Sequence, residues 1–359
     1  MSNDVTLILP IAGRSSRYPG MRPKWMLTHP RGKFMITESI RGLQAENFQR
    51  IVIISLRAHE EDFHVSAPLI DELSTTYGVP SHRINVVLFD GETGSQPETV
   101  HRGIVEADIR GKILIKDSDN CFDLSPDYDT NFVAAADLGS TGPIEAANKS
   151  YVQTVDNEIV RIVEKEVISS RFCCGAYFFL DAAEFSQHYN ALSNQEGLYV
   201  SHVIQNMLEA GSSFVVCEGH GFQDWGTLAD WRAFQAKFST VFINLDGLIV
   251  YQSSQHFEPH WGTTEALRRN AGVVNALFKS GRAEVIVITS RPESVRAMTE
   301  GQLRKNGVRY HRLLMGLPHN CKQILVNAFS SEAPYEAAVA VNTRVDEDHL
   351  DEMFSGLLD

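Results

Sequence analysis

The sequence predicts an α/β protein with two domains, the first built on a doubly wound, mostly parallel sheet and the second a smaller α/β unit. Short apolar runs alternate with helical stretches through residues 1–237, the pattern of strands buried on both faces and joined by crossover helices. The rhythm loosens near Lys149 and begins again near Thr240. At 359 residues the chain is long for a single core and suits two. A boundary near Phe238 gives domains 1–237 and 238–359, with no low-complexity linker between them.

In chain order, strands are expected at residues 6–10, 50–55, 85–89, 112–116 and 132–136, with helices at 35–46, 60–76 and 98–107. Residues 151–155 and 158–163 flank Asp156-Asn157, which reads as a hairpin turn. A strand follows at 173–180, then an amphipathic helix at 199–210 that stops at Gly211. These elements suit a mixed-sheet portion that receives a second substrate. The second run has strands at 240–244 and 284–289 and helices at 263–279 and 295–305. Two more apolar runs, 323–329 and 337–342, precede an acidic terminal helix from Asp346.

Composition narrows the function. Hydrophobic residues make up 43% and charged residues 21%, ordinary values for a globular protein. No apolar run is long enough to span a membrane, and MSNDV lacks the features of a leader, so a cytoplasmic location is the default expectation. The five cysteines (121, 173, 174, 217 and 321) show no C-x-x-C spacing, which argues against structural zinc or a disulfide framework. A net charge of −13 disfavours a nucleic-acid partner. Small anions held by a local basic pocket remain compatible with it.

Such a pocket is foreshadowed in LPIAGRSSRYPGMRPK, residues 9–24. Ala12, Gly13 and Ser15 let backbone amides approach a polyphosphate, while Arg14, Arg17 and Lys24 supply charge. The spacing fits neither a P-loop nor a dinucleotide fingerprint. Downstream, Asp117 and Asp119 close an apolar strand, where carboxylates can hold Mg²⁺. Asp224 stands in a turn before a helix, and Glu164-Lys165 ends another strand. Taken singly, each has an ordinary explanation as a turn former or solvated pair. Trp25, Trp225 and Trp231 read as packing elements.

In this order the segments resemble the sugar-1-phosphate nucleotidyltransferases, including their phosphocholine-type cytidylyltransferase relatives. The similarity covers about residues 5–235 and rests on Gly13, Arg17 and Pro23-Lys24, then Asp119, Glu164-Lys165, and Asp224 with Gly226-Thr227. The run Gly94-Ser-Gln-Pro-Glu-Thr-Val100 is similar to the family's base-binding loop, and Cys174-Gly-Ala-Tyr-Phe178 to its acceptor-lining strand. One departure is the single glycine in AGRSSR, where many members have two or three.

The resemblance implies a GT-A-like fold and Mg²⁺-dependent joining of an NTP to a phosphorylated sugar, polyol or amino alcohol. CTP is favoured, and surface-polysaccharide or capsule synthesis is the implied setting. Arg14, Arg17 and Lys24 would hold the triphosphate, with Ala12, Gly13, Ser15, Gly94, Gln96, Glu98 and Thr99 around the nucleotide. Asp119 and Asp224 would hold the metal, with Asp117 in its outer shell. Lys165 would neutralise the acceptor phosphate, while Glu164, Gly175 and Tyr177 would line the acceptor site.

The C-terminal part resembles a haloacid-dehalogenase-type phosphatase domain, with a Rossmann-like α/β fold expected. Phe242-Ile-Asn-Leu-Asp-Gly-Leu248 is similar to that family's first motif, and Val287-Ile-Thr-Ser-Arg-Pro292 to its second. The resemblance makes Asn244, Asp246, Ser290, Arg291 and Lys322 the pocket. Asn244 stands where the nucleophilic aspartate belongs, and Ala328 or Asn342 where a metal acid would lie. An amide cannot form an aspartyl-phosphate, so a domain without phosphatase activity is expected. Its remaining roles are buttressing, ligand binding or homo-oligomerisation. The alternatives are a weak phosphatase using Asp246 and a shifted acid at Asp346 or Asp348, a silent regulatory protein, or a glycosyltransferase using Asp117-Ser-Asp119.

Overall fold

The structure, a computed structural model, describes residues 3–13, 20–141, 145–328 and 338–354. Its contacts divide the chain into Met1–Trp231 and Arg232–Asp359. The first unit opens with β1 (Asn3–Pro10), α1 (Met35–Ser39), β2 (Phe48–Leu56), α2 (Arg57–Phe63) and α3 (Ser66–Tyr77). It continues with β3 (Ile84–Phe89), α4 (Gln96–Glu106) and β4 (Ile113–Lys116), the four strands lying parallel. Then come β5 (Asn120–Asp123), β6 (Phe132–Asp137), β7 (Ser150–Val155), β8 (Glu158–Glu164) and β9 (Arg171–Phe179). The unit ends with α5 (Ala182–Leu192), α6 (Val200–Glu209), β10 (Val215–Glu218), β11 (His220–Asp224) and the first half of α7 (Leu228–Gln235).

A nine-stranded mixed sheet runs β3-β2-β1-β4-β9-β6-β10-β8-β7. Its inner strands are apolar on both faces: Leu7, Leu9, Ile51 and Ile53 enter one core, and Ile8, Val52 and Ile54 the other. That is why they read as continuous apolar runs rather than alternating ones. β5 and β11 form a separate antiparallel pair. Asp156 and Asn157 both take positive φ, +49° and +70°, giving the hairpin between β7 and β8 its turn.

Two expected helices are broken. Over 35–46 only α1 is α-helical; short 3₁₀ turns at Arg41–Leu43 and Ala45–Asn47 follow. Gly42 explains the break, since its carbonyl receives the Leu124 amide and a Cβ there would lie 2.1 Å from the Phe122 carbonyl oxygen. The 60–76 stretch begins earlier and divides at His64, whose φ of +48° ends α2 before α3.

The second unit contains β12 (Ser239–Asn244), α8 (Arg268–Ser280), β13 (Ala283–Ile288), α9 (Arg296–Lys305), β14 (Arg312–Leu314) and α10 (Leu350–Met353). Its sheet is parallel, in the order β12-β13-β14, over a core including Ile243, Leu245, Val274, Val285 and Leu303. The helix expected at 263–279 starts at Arg268, because the Asp348 carboxylate caps it, accepting the Arg269 and Asn270 amides. The described residues of 323–329 and 337–342 are irregular and exposed; β14 supplies the third strand instead. The terminal helix is limited to α10, since Asp346 and Asp348 are engaged by backbone amides of residues 252, 269 and 270. Among the described residues, no helix is long and apolar enough to cross a membrane.

Candidate active site

β4 delivers the site. Just beyond its last residue the chain turns through 117–120 into β5, and the turn is built around Lys116. This side chain is wholly buried and donates to the Asp117 carbonyl (2.7 Å), the Asn120 carbonyl (3.1 Å) and Asn120 Oδ1 (2.5 Å). Its ammonium also lies 4.9 Å from the centre of the Phe122 ring. Burial lowers the Lys116 pKa, against the opposing pull of Asp117, then Cys121 and Asp119. Three carbonyl-type acceptors fix the turn that carries both aspartates. Lys116 was not among the residues expected from sequence, where it reads simply as a strand end.

Asp117 is joined to two other expected residues. Gln96, at the start of α4, donates to its Oδ1 at 2.5 Å, and the Asp117 amide donates to the Gly175 carbonyl at 2.8 Å. Gly175 has φ +85°, and a Cβ there would sit 2.3 Å from Asp117 Oδ2, so glycine is needed for both reasons. Burial, then the Asp119 charge, raises the Asp117 pKa. Tyr177 is buried on β9 with its phenol pushed well up by desolvation and then by Asp117.

Strand pairing brings the segments carrying Asp119 and Asp224 side by side. In the register of β5 with β11, Asp224 lies opposite Asn120, and the Trp225 amide donates to the Asp119 carbonyl at 2.8 Å. Lys24, in a 3₁₀ turn after Pro23, forms an ion pair with the Asp119 carboxylate. Asp224 Oδ1 accepts the Gly226 amide at 3.1 Å, and its Oδ2 lies 2.5 Å from Lys149 Nζ. Thr227 and Asp230 then form a reciprocal cap on α7. The small residue after Trp225 and the threonine beyond it thus have local backbone reasons.

The loop carrying Asp224 rests on aromatic packing. Trp225 is buried, with its ring centre 5.1 Å from that of His29; Trp231 lies 5.9 Å from His29. Trp25, Trp225 and Trp231 are all buried, consistent with packing roles. Burial, with Arg31 and Arg41 nearby, lowers the His29 pKa to about 3. Glu38 beside it is raised by burial, against the opposing charges of Arg41 and Arg31.

Glu164, at the end of β8, accepts the Ser150 and Ser201 hydroxyls on Oε2, the latter at 2.8 Å. Lys165 turns away through φ +58°: it is exposed, and its ammonium lies 2.5 Å from Tyr199 Oη. The lysine in contact with Asp224 is therefore Lys149, which the sequence gave no signal for beyond its place at the change of rhythm. Glu98 and Thr99 have local duties. Glu98 accepts the Gly94 amide at 2.7 Å, and buried Thr99 bonds the Ser95 carbonyl and Thr93 hydroxyl. Ala12 is buried and Gly13 exposed at the end of the first strand's run. Arg14, Ser15 and Arg17 lie outside the described residues.

In the second unit, Asn244 is exposed at the end of β12. Asp246 accepts Arg291 Nε at 2.9 Å, Arg291 NH2 at 2.6 Å, Ser253 Oγ at 2.8 Å and Thr289 Oγ1 at 3.3 Å. Arg291 is wholly buried and also donates to Gln302 Oε1 at 2.7 Å. Ser290 Oγ is 3.0 Å from His319 Nδ1, and Lys322 is exposed. Among the described residues, no group of three or more His, Cys, Asp or Glu could hold a metal ion.

Solved structures place this architecture among known ones. A nucleoside-diphosphate-sugar pyrophosphorylase from Vibrio cholerae RC9 is similar at TM-score 0.54 and 18% identity, over 64% of this chain and 98% of that one. The inositol-1-phosphate CTP transferase from T. maritima is similar at TM-score 0.51 and 17% identity, over 64% of this chain and 92% of that one. These likenesses establish a mixed-sheet nucleotidyltransferase-like fold over the N-terminal two-thirds of the chain. No family profile matches the sequence. No curated protein matches it either.

Proposed function

We propose that the first unit transfers a nucleotidyl group from an NTP, with CTP favoured, to a phosphorylated sugar, polyol or amino alcohol, releasing pyrophosphate. The observation that carries this reading is the pairing of β5 with β11, which brings the Asp119 and Asp224 segments together beside Lys24. Similarity of fold to the pyrophosphorylase and the CTP transferase above supports it.

The acceptor's phosphate oxygen attacks the α-phosphorus in line, and the bond to pyrophosphate breaks. A phosphomonoester has its second pKa near ~6 and is largely dianionic at neutral pH, so no general base is required. Catalysis then depends on alignment and charge neutralisation. Lys24, with Arg14 and Arg17, would hold the triphosphate. Glu164, oriented by two serine hydroxyls on Oε2, can use Oε1 for an acceptor hydroxyl.

Asp119 and Asp224 fit Mg²⁺, which uses carboxylate oxygens and lets substrate phosphates complete its shell. When bound, the ion would neutralise charge on the triphosphate. Asp117, bonded to Gln96, suits an outer position linking the metal side to the nucleotide loop. Surface-polysaccharide synthesis is the setting suggested by the sequence resemblance.

For the second unit we infer a phosphatase-like fold without phosphatase chemistry. Asn244 offers no carboxylate nucleophile, while Asp246 is held by Arg291, Ser253 and Thr289. A pyrophosphate-release screen of a panel of NTPs against phosphorylated sugars and alcohols tests the first reading. Release with an NTP and acceptor together supports it; glycosyl transfer would instead release a nucleoside diphosphate. Mg²⁺-dependent phosphatase turnover by the full chain that survives Asp119→Ala would overturn the second.

A further inference from the structure

Lys149 stands between the two halves of the proposed chemistry. Its ammonium lies 2.5 Å from Asp224 Oδ2, with the two side chains only 15% and 12% exposed. The same ammonium is 5.2 Å from the centre of the Phe222 ring. Its backbone carbonyl accepts the Lys165 amide at 3.0 Å, and the next residue, Ser150, donates to Glu164. Lys149 thus joins the Asp224 side of the site to the Glu164 side through adjacent positions at the start of β7.

This geometry has an electrostatic consequence. Asp224 Oδ1 already accepts the Gly226 amide, and Oδ2 carries the ammonium. A divalent cation approaching that carboxylate meets a positive charge at contact distance, in a partly desolvated place where screening is weak. A phosphate dianion relieves the conflict, because it can attract the ammonium from one side and the metal from the other. Lysine suits this exchange: it is a point charge on a flexible stem, without a fixed bidentate grip.

We propose that Lys149 binds the acceptor's phosphate and, by leaving Asp224 to do so, couples acceptor binding to divalent-metal binding. The proposal rests on the reading of Asp224 as a metal ligand. Because coupling between two ligands is reciprocal, each should tighten the other without any nucleotide present.

Full-length protein is titrated with Mn²⁺, and bound metal is followed by electron paramagnetic resonance, with and without methyl phosphate as the phosphomonoester probe. Wild type should bind Mn²⁺ about tenfold more tightly when methyl phosphate is present, within the usual range of coupling. Lys149→Met should bind Mn²⁺ more tightly than wild type in its absence and lose the enhancement, while Lys149→Arg should retain much of it. Equal Mn²⁺ affinity with and without methyl phosphate in wild type overturns the proposal, as does unchanged coupling in folded Lys149→Met. Should Lys149→Met fail to fold, the wild-type titration and Lys149→Arg still decide. Asp224→Asn separates the underlying reading: unaltered Mn²⁺ binding there removes Asp224 as a ligand, whatever Lys149 does.

Discussion

Asp224 ends a strand in the first unit and Asp246 lies just beyond one in the second; both face a basic side chain, yet their surroundings differ in kind. Asp224 meets one flexible ammonium and one backbone amide, with its side chain 12% exposed. Asp246 receives Nε and NH2 of a wholly buried guanidinium and two hydroxyls. The two carboxylates are similarly exposed, 12% and 16%; what differs is the cation, since Lys149 is 15% exposed on a flexible stem while Arg291 is wholly buried and also held by Gln302. A carboxylate beside a cation is therefore no evidence of a working site until its remaining bonding capacity is known. Removing Asp246 leaves the wholly buried Arg291 without its counter-charge, whereas Lys149 keeps some access to solvent.

The largest expected effect comes from Asp119→Asn or Asp224→Asn: pyrophosphate release should fall roughly 100-fold or more, with the melting temperature little changed. Asp246→Asn should do the reverse, destabilising the second unit by about 3–5 kcal/mol as Arg291 loses its partner, with pyrophosphate release per folded molecule retained. Calorimetry and the release assay measure both. A Gly175→Ala change should cost about 1–3 kcal/mol, because a Cβ would lie 2.3 Å from Asp117 Oδ2 at a φ of +85°; denaturant melts read it directly.

A smaller test uses His29, whose ring packs against Trp225, the residue after Asp224. Its folded pKa is lowered from 6.5 to about 3. The unfolded chain therefore takes up a proton below pH 6.5 while the folded chain does not. The stability contribution is intact above 6.5 and is lost as pH falls towards about 3. Urea melts should lose at most about 1.4 kcal/mol per pH unit from this group, and His29→Gln should flatten that slope. Glu38, raised by burial, acts in the opposite sense at the acidic end.

Much of the fold was legible because buried parallel strands leave continuous apolar runs, and Asp156-Asn157 marked its hairpin directly. The helix at 35–46 was overread because the requirement on Gly42 comes from Phe122, far along the chain. Likewise, the start of α8 depends on Asp348, and no local signal near Arg268 carries that information. At the candidate site, Asp117 and Asp119 stood out as strand-end carboxylates and Asp224 as a carboxylate in a turn before a helix. Lys116 and Lys149 did not, since a lysine's neighbours in sequence do not reveal which carboxylate its long stem reaches.

By itself the sequence determined which segments must be buried, where the chain can turn tightly and which side chains could carry acid, base or metal chemistry. Those properties follow from local pattern and side-chain type. Only the tertiary structure decided that Asp224 lies beside the Asp119 segment, that Lys149 rather than Lys165 contacts it, and that Asp246 is enclosed by Arg291. The physical reason is that strand register and burial are set by distant partners, and these fix both the distance between charges and the solvent left to screen them.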